Sequence, residues 1–153
     1  MQKLLYLLQE VYGVDLGYTY ELYTYGPYSA SVMRDVDYAA ALGLLHVEYD
    51  YHQGYAIFPG DNAAEVDAER QELCSDIGKK MGGLLDRFGS QNARELELRA
   101  TLAYIIREDP SIEDADLRDR IMAIKPKYDD AEIDAAIKEL EENGVFGELR
   151  TVV

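Results

Sequence analysis

Tyr18-Thr-Tyr-Glu-Leu-Tyr-Thr-Tyr-Gly-Pro-Tyr-Ser29 is the stretch on which the reading of the fold turns. Tyrosine and threonine alternate here at period two. Tyr18, Tyr20, Leu22 and Thr24 share one side and Thr19, Glu21, Tyr23 and Tyr25 the other, which predicts a strand over residues 18–25. Gly26-Pro27 is expected to break that strand, and Ser29 or Ser31 to N-cap a helix running to about Leu42. Eleven of the thirteen tyrosines fall within the first 55 residues. A tyrosine ring is a large rigid apolar surface with a polar tip, suited to half-wet positions and recognition surfaces.

Upstream, Leu4, Leu5, Leu8 and Val11 form one helical stripe over residues 2–12, with Gly13 as a stop. This amphipathic start has no small-residue cleavage site and does not read as a signal peptide. Downstream, Gly43-Leu44-Leu45 ends the second helix. His46 to Asp50 and Tyr55 to Phe58 then read as two short strands around a turn near His52-Gln53-Gly54. A helix followed by a hairpin is the shape of a winged-helix recognition helix and its wing.

Residues 61–88 carry a long helical pattern, with Val66, Leu73, Ile77, Met81, Leu84 and Phe88 inward and Gly78, Gly82 and Gly83 weakening it. Asn92 and Glu95 open a helix to about Arg107, its face formed by Leu98, Leu102, Ile105 and Ile106. Ser111-x-x-Asp114 is expected to open a short helix that ends before Lys125-Pro126. Asp129-x-x-Glu132 opens a last helix with Ile133, Ile137 and Leu140 inward, stopping at Asn143-Gly144. Val145-Phe146 then reads as an apolar extended segment. The expected fold is mostly α with small β hairpins: two winged-helix-like lobes joined by a long helix. Residues 1–60 form a Tyr-rich N-terminal lobe, 61–89 the connecting helix and 90–153 a helical C-terminal lobe.

The chain of 153 residues has a net charge of −15. Residues 1–59 hold two basic against seven acidic side chains, and the remainder thirteen against twenty-three. Both parts are acidic, so the phosphate-neutralising contacts that supply most duplex affinity are disfavoured on average. No apolar run reaches the roughly 20 residues that span a bilayer. A single cysteine, Cys74, leaves no internal disulfide and fits a reducing compartment, so a cytoplasmic location is expected.

No residue pattern supports catalysis. Ser29 and Ser31 lack a nucleophile-elbow context and read as caps. Cys74, beside Glu72 and Asp76, has little help in forming a thiolate. His46, Glu48, Asp50 and His52 could gather on one hairpin face as metal ligands, but without a recognised ligand motif they read as solvated polar residues. Met81-Gly-Gly-Leu lacks the phosphate-loop pattern. The expectation is therefore a non-enzymatic protein with no cofactor and no metal.

The candidate site is Tyr23, Tyr25, Gly26, Pro27 and Tyr28, where Gly and Pro set a turn and the flanking tyrosines frame a pocket. The competing structural role is packing of the helix onto the sheet. A helix over 29–42 would bring Arg34 to DNA together with Asp35 and Asp37, a poor complement to phosphate. Lys79, Lys80 and Arg87, or Lys125 and Lys127, form small basic spots that a homodimer would double. The favoured expectation is a macromolecular-recognition protein that binds a protein partner through its Tyr-rich surface. The alternatives are a winged-helix DNA-binding regulator and a small-ligand sensor.

Lys3-Leu-Leu-Tyr-Leu-Leu-Gln, Tyr23-Thr-Tyr-Gly-Pro-Tyr-Ser and Leu42-Gly-Leu-Leu resemble the opening of the YwgA-type proteins of bacteria and archaea. Glu95-Leu-Glu-Leu-x-Ala-Thr-Leu-x-Tyr and Ile124-Lys-Pro-Lys-Tyr are similar to that family's second half. More distantly, the Lys-Leu-Leu-Tyr-Leu helix followed by Tyr-Gly-Pro resembles the SocA-type Panacea antitoxin domain. That resemblance implies a Tyr-Gly-Pro surface that meets a protein, in an adaptor or antitoxin-like role.

Overall fold

The computed structural model describes residues 1–51, 54–64 and 75–151. Seven helices and two antiparallel two-stranded sheets occur among them: α1 (Gln2–Glu10), β1 (Glu21–Tyr23), β2 (Gly26–Tyr28), α2 (Ala30–Ala41), β3 (Leu45–Asp50), β4 (Gly54–Pro59), α3 (Ser75–Phe88), α4 (Ala93–Glu108), α5 (Asp114–Ile124), α6 (Asp130–Glu142) and α7 (Val145–Thr151). A mostly helical chain with small hairpins is thus what the sequence folds into. The chain divides into two compact units, residues 1–28 with 80–153, and residues 29–79. This division differs from the expected 1–60, 61–89 and 90–153, because the N-terminal helix shares its core with the C-terminal helices.

In the first unit α4 is the central element. Leu98, Ala100, Thr101, Leu102, Ala103, Ile105 and Ile106 are all buried, a helix covered on most sides rather than along one stripe. It packs against α1, β2, α5, α6 and α7. Tyr6, Leu7 and Leu8 of α1, Leu84 and Phe88 of α3, Leu117 and Ile121 of α5, Ile133 and Leu140 of α6, and Leu149 of α7 join its core. The predicted starts of α4 and α6 are confirmed in atomic detail. The Asn92 side chain accepts from the Arg94 and Glu95 amides, and that of Asp129 from the Glu132 amide; each helix has a complete capping box.

Three local expectations need correction. Ser111 does not cap α5: its hydroxyl donates to Asp109 Oδ1 at 2.7 Å, and the helix begins at Asp114 after Glu113. Val145-Phe146 is not extended but opens α7, and both side chains are buried. The third concerns the Tyr-rich strand, which is two strands. Gly26-Pro27 does not end it but begins β2, paired as Tyr23↔Gly26, Leu22↔Pro27 and Glu21↔Tyr28. Gly26 has φ +91°, the left-handed residue that closes this tight hairpin after Thr24-Tyr25. Proline is tolerated because each strand of a two-stranded ribbon is an edge.

The second unit contains α2 and the β3–β4 hairpin, with Leu45↔Pro59 through Asp50↔Gly54 in register. Gly43, at φ +70°, ends α2 in a Schellman arrangement: its amide bonds to Ala40 and that of Leu44 to Ala39. Gly60 abuts this turn so closely that a Cβ there would stand 2.2 Å from the Gly43 carbonyl oxygen. Of the predicted long-helix face, Leu84 and Phe88 are buried, whereas Ile77 and Met81 are exposed. Val66, Leu73 and Cys74 lie outside the described residues.

Leu102 is fully buried at the centre of α4. Leu102→Ala is expected to lower unfolding stability by about 2–5 kcal/mol, read from urea denaturation, because it removes a core side chain and leaves a cavity.

Candidate functional site: a tyrosine cleft over a buried lysine–glutamate cluster

The turn of the β1–β2 hairpin borders a cleft of about 440 Å³ lined by Lys3, Tyr23, Thr24, Tyr25, Gly26 and Tyr28. Of the five residues expected to form the site, four line it. The fifth, Pro27, is buried beneath the hairpin. Tyr23 is 56% and Tyr25 68% exposed, while Tyr28 is half-buried with its ring centre 5.4 Å from that of Tyr23. The other early tyrosines of this unit do different work. Tyr6 is buried and meets Tyr20 edge-on at 5.0 Å, and the hydroxyl of Tyr12 donates to the Gly83 carbonyl at 3.1 Å. Packing thus accounts for part of the tyrosine cluster, and an open surface for the rest.

Beneath the hairpin lies a charged cluster. Glu97 of α4 is 4% exposed. Its Oε1 is 3.0 Å from Lys125 Nζ, and its Oε2 accepts a hydrogen bond from Lys127 Nζ at 2.8 Å. Lys125, also buried, donates in addition to the carbonyls of Tyr23 (3.2 Å) and Thr24. The ammonium of Lys125 therefore bridges α4 to the hairpin turn. The ammonium of Lys127 lies 5.5 Å from the Tyr25 ring centre and 5.3 Å from that of Tyr128, within cation–π range. Arg94 secures the Lys127 backbone by donating to its carbonyl at 2.7 Å. It also pairs with both oxygens of Glu132 and lies over the Tyr128 ring.

Gly26 lets the hairpin sit close to α4. A Cβ there would come 3.3 Å from Thr101 Oγ1 and 3.5 Å from the Glu97 carbonyl oxygen. The Thr101 hydroxyl is itself turned back onto that carbonyl at 2.7 Å.

The electrostatics follow from this geometry. Burial alone would raise the Glu97 carboxyl, but the hydrogen bonds and charges of Lys127 and Lys125 outweigh it and hold the group below its ordinary value. Lys3 is displaced the other way: burial lowers its ammonium, Lys125 and Lys127 lower it further, and Glu97 opposes them. Burial, reinforced by Glu97, pushes the Tyr128 phenol up to about 12.

Sequence reasoning placed the tyrosines but not what lies under them. Lys125 and Lys127 read only as a basic spot, and Glu97 and Lys3 were not singled out for any role in a site. The available signal was the spacing of Glu97, Thr101 and Ile105, which puts a carboxylate on a buried face of α4.

None of the remaining candidates is among the residues that line the cleft. His46 Nε2 and Glu48 Oε1 are 3.1 Å apart on an exposed face of the β3–β4 hairpin. His52 lies outside the described residues, and no cluster of three or more potential metal ligands occurs among those described. Arg34 is exposed and donates to Ser31 Oγ at 2.8 Å. No described helix is long and apolar enough to cross a membrane. Compared with known proteins, the chain matches no family, no curated protein and no solved structure.

Glu97→Gln removes the carboxylate that Lys125 and Lys127 share. It is expected to destabilise the protein by about 3–5 kcal/mol in thermal or urea unfolding, the range for breaking a buried pair from one side. The sign of the pH dependence follows from the lowered carboxyl. The stabilisation is fully present above the ordinary value of 4.5 and is lost as pH falls through the folded-state value. Acid unfolding of the wild type should therefore be steeper below about pH 4.5 than that of Glu97→Gln.

Proposed function

We propose that this protein is a non-enzymatic recognition module that binds a protein partner through the cleft and rim formed by Tyr23, Tyr25, Gly26 and Tyr28. The observation that carries the reading is that Tyr23 and Tyr25 stay exposed although the turn between them is anchored. Lys125 grips the carbonyls of Tyr23 and Thr24, so the rings are displayed on a rigid turn. Rigid, exposed aromatic rings that lose little entropy on contact are the side chains that dominate protein interfaces. An adaptor or antitoxin-like role, in keeping with the Tyr-Gly-Pro resemblance, is the form of this function we favour.

A winged-helix DNA-binding regulator is the less favoured alternative. Helix α2 followed by the β3–β4 hairpin fits a recognition helix and wing in element order. Most side chains of the small basic spots, however, are engaged within the protein. Lys125 and Lys127 are held by Glu97, and Arg87 donates to the Asn143 carbonyl at 3.0 Å. The net charge of −15 further opposes a polyanion. A small-ligand sensor has one observation in its favour: a cleft of about 440 Å³ lies within the range of small-molecule pockets.

The test uses tagged protein and its source lysate. Tyr25→Ala is expected to abolish capture of a stoichiometric, nuclease-resistant protein partner while changing stability by less than about 1 kcal/mol, as surface substitutions do. Undiminished capture by Tyr23→Ala and Tyr25→Ala variants would overturn the reading. Partner loss on nuclease treatment would favour the DNA-binding alternative.

A further inference from the structure

Within the cleft, one cation stands apart from the others. Lys125 and Lys127 each have Glu97 as counter-ion. Lys3 also lines the cleft and is half-buried, yet makes no ion pair and no hydrogen bond among the described residues. Lys3 thus feels Lys125, Lys127 and Glu97 but is the one of the three lysines without a salt bridge to that carboxylate, in a chain of net charge −15. A half-buried ammonium with no salt bridge of its own leaves a counter-ion for a ligand to supply.

The lining of the cleft narrows the chemistry that would relieve it. Beside Lys3 the surface is largely apolar, supplied by Tyr23, Tyr25 and Tyr28. One unpaired ammonium complements one monovalent carboxylate. Phosphate is ordinarily held by an arginine fork or several converging donors, and no arginine lines the cleft. A polyanion would be repelled by the protein's overall charge, whereas a short segment bearing one carboxylate meets mainly the local field.

We propose that the cleft receives an acidic side chain, Asp or Glu, from an extended segment of the protein partner. The carboxylate pairs with Lys3 Nζ, and a neighbouring apolar side chain lies against Tyr23, Tyr25 and Tyr28. This rests on the protein-binding reading above and specifies what the partner presents there.

The experiment is an array of acetylated, amidated hexapeptides, each with one Asp or Glu flanked by apolar residues, beside its Asn or Gln counterpart. Affinities come from calorimetry, and the Lys3 side-chain methylene signals from NMR. Sodium acetate and inorganic phosphate serve as free-anion probes. Acidic peptides are expected to shift the Lys3 signals and to bind at least about tenfold more tightly than their amide counterparts, the gain of a charge-assisted hydrogen bond. Lys3→Gln should erase that preference and Lys3→Arg restore it. Lys3→Gln should also melt no lower than the wild type, which separates a ligand-binding residue from one that holds the fold together.

Acidic and neutral peptides binding equally, with binding lost in Tyr25→Ala, would overturn the carboxylate inference and leave the protein-binding face intact. Acetate or phosphate binding at Lys3 without any peptide binding would overturn the inference in favour of a small-anion site. No binding by any probe would overturn the inference, and capture from lysate would still judge the protein-binding reading separately.

Discussion

The first unit depends on how a carboxylate is accommodated in the interior of a helical core. Glu97 sits on α4, the helix against which α1, β2, α5, α6 and α7 pack. Its charge would be intolerable there alone, because removing an ion from water costs several kcal/mol unless it is paired and hydrogen-bonded. Lys125 and Lys127 supply the pairing from the segment between α5 and α6, on either side of Pro126. Lys125 then reaches beyond Glu97 to the carbonyls at the tip of the β1–β2 hairpin. One cluster therefore ties together three parts of the chain that lie far apart in sequence.

That tie explains how a hairpin with strands of only three residues can hold its shape. A two-stranded ribbon is marginal in water. Here its turn carbonyls are bonded from below, its glycine permits contact with Thr101, and Pro27 packs inward. Tyr23 and Tyr25 are the rings left outside. The buried cluster and the exposed rim are thus two faces of one arrangement. The lysines fix the backbone of the turn, and the fixed backbone presents the rings.

Elements governed by local rules were legible from residue order. The capping boxes at Asn92 and Asp129, the glycine stop at Gly43 and the β3–β4 hairpin each depend on neighbours within a few residues, so pattern and spacing located them. Errors arose where tertiary contacts override local preference. Gly26-Pro27 is ordinarily punctuation between elements, yet here it is the start of a strand, because α4 and Lys125 hold the chain in a tight return. Val145-Phe146 has the composition of a strand, but it becomes a helix where both side chains enter the core around α4.

From its sequence alone, this chain determined a mostly helical architecture, its principal helix boundaries, an acidic surface and a dense group of tyrosines near Gly26. These follow from composition, periodicity and capping, all of which act over short distances along the chain. Only the tertiary structure decided which tyrosines are core and which are rim. It alone also brought Lys3, Glu97, Lys125 and Lys127 together under the hairpin. The reason is separation: roughly ninety residues lie between Lys3 and Glu97, and nearly thirty more before Lys125. No local pattern encodes a meeting of charges across such spans; it is produced by the packing of α1, the hairpin and the α5–α6 connection around one central helix.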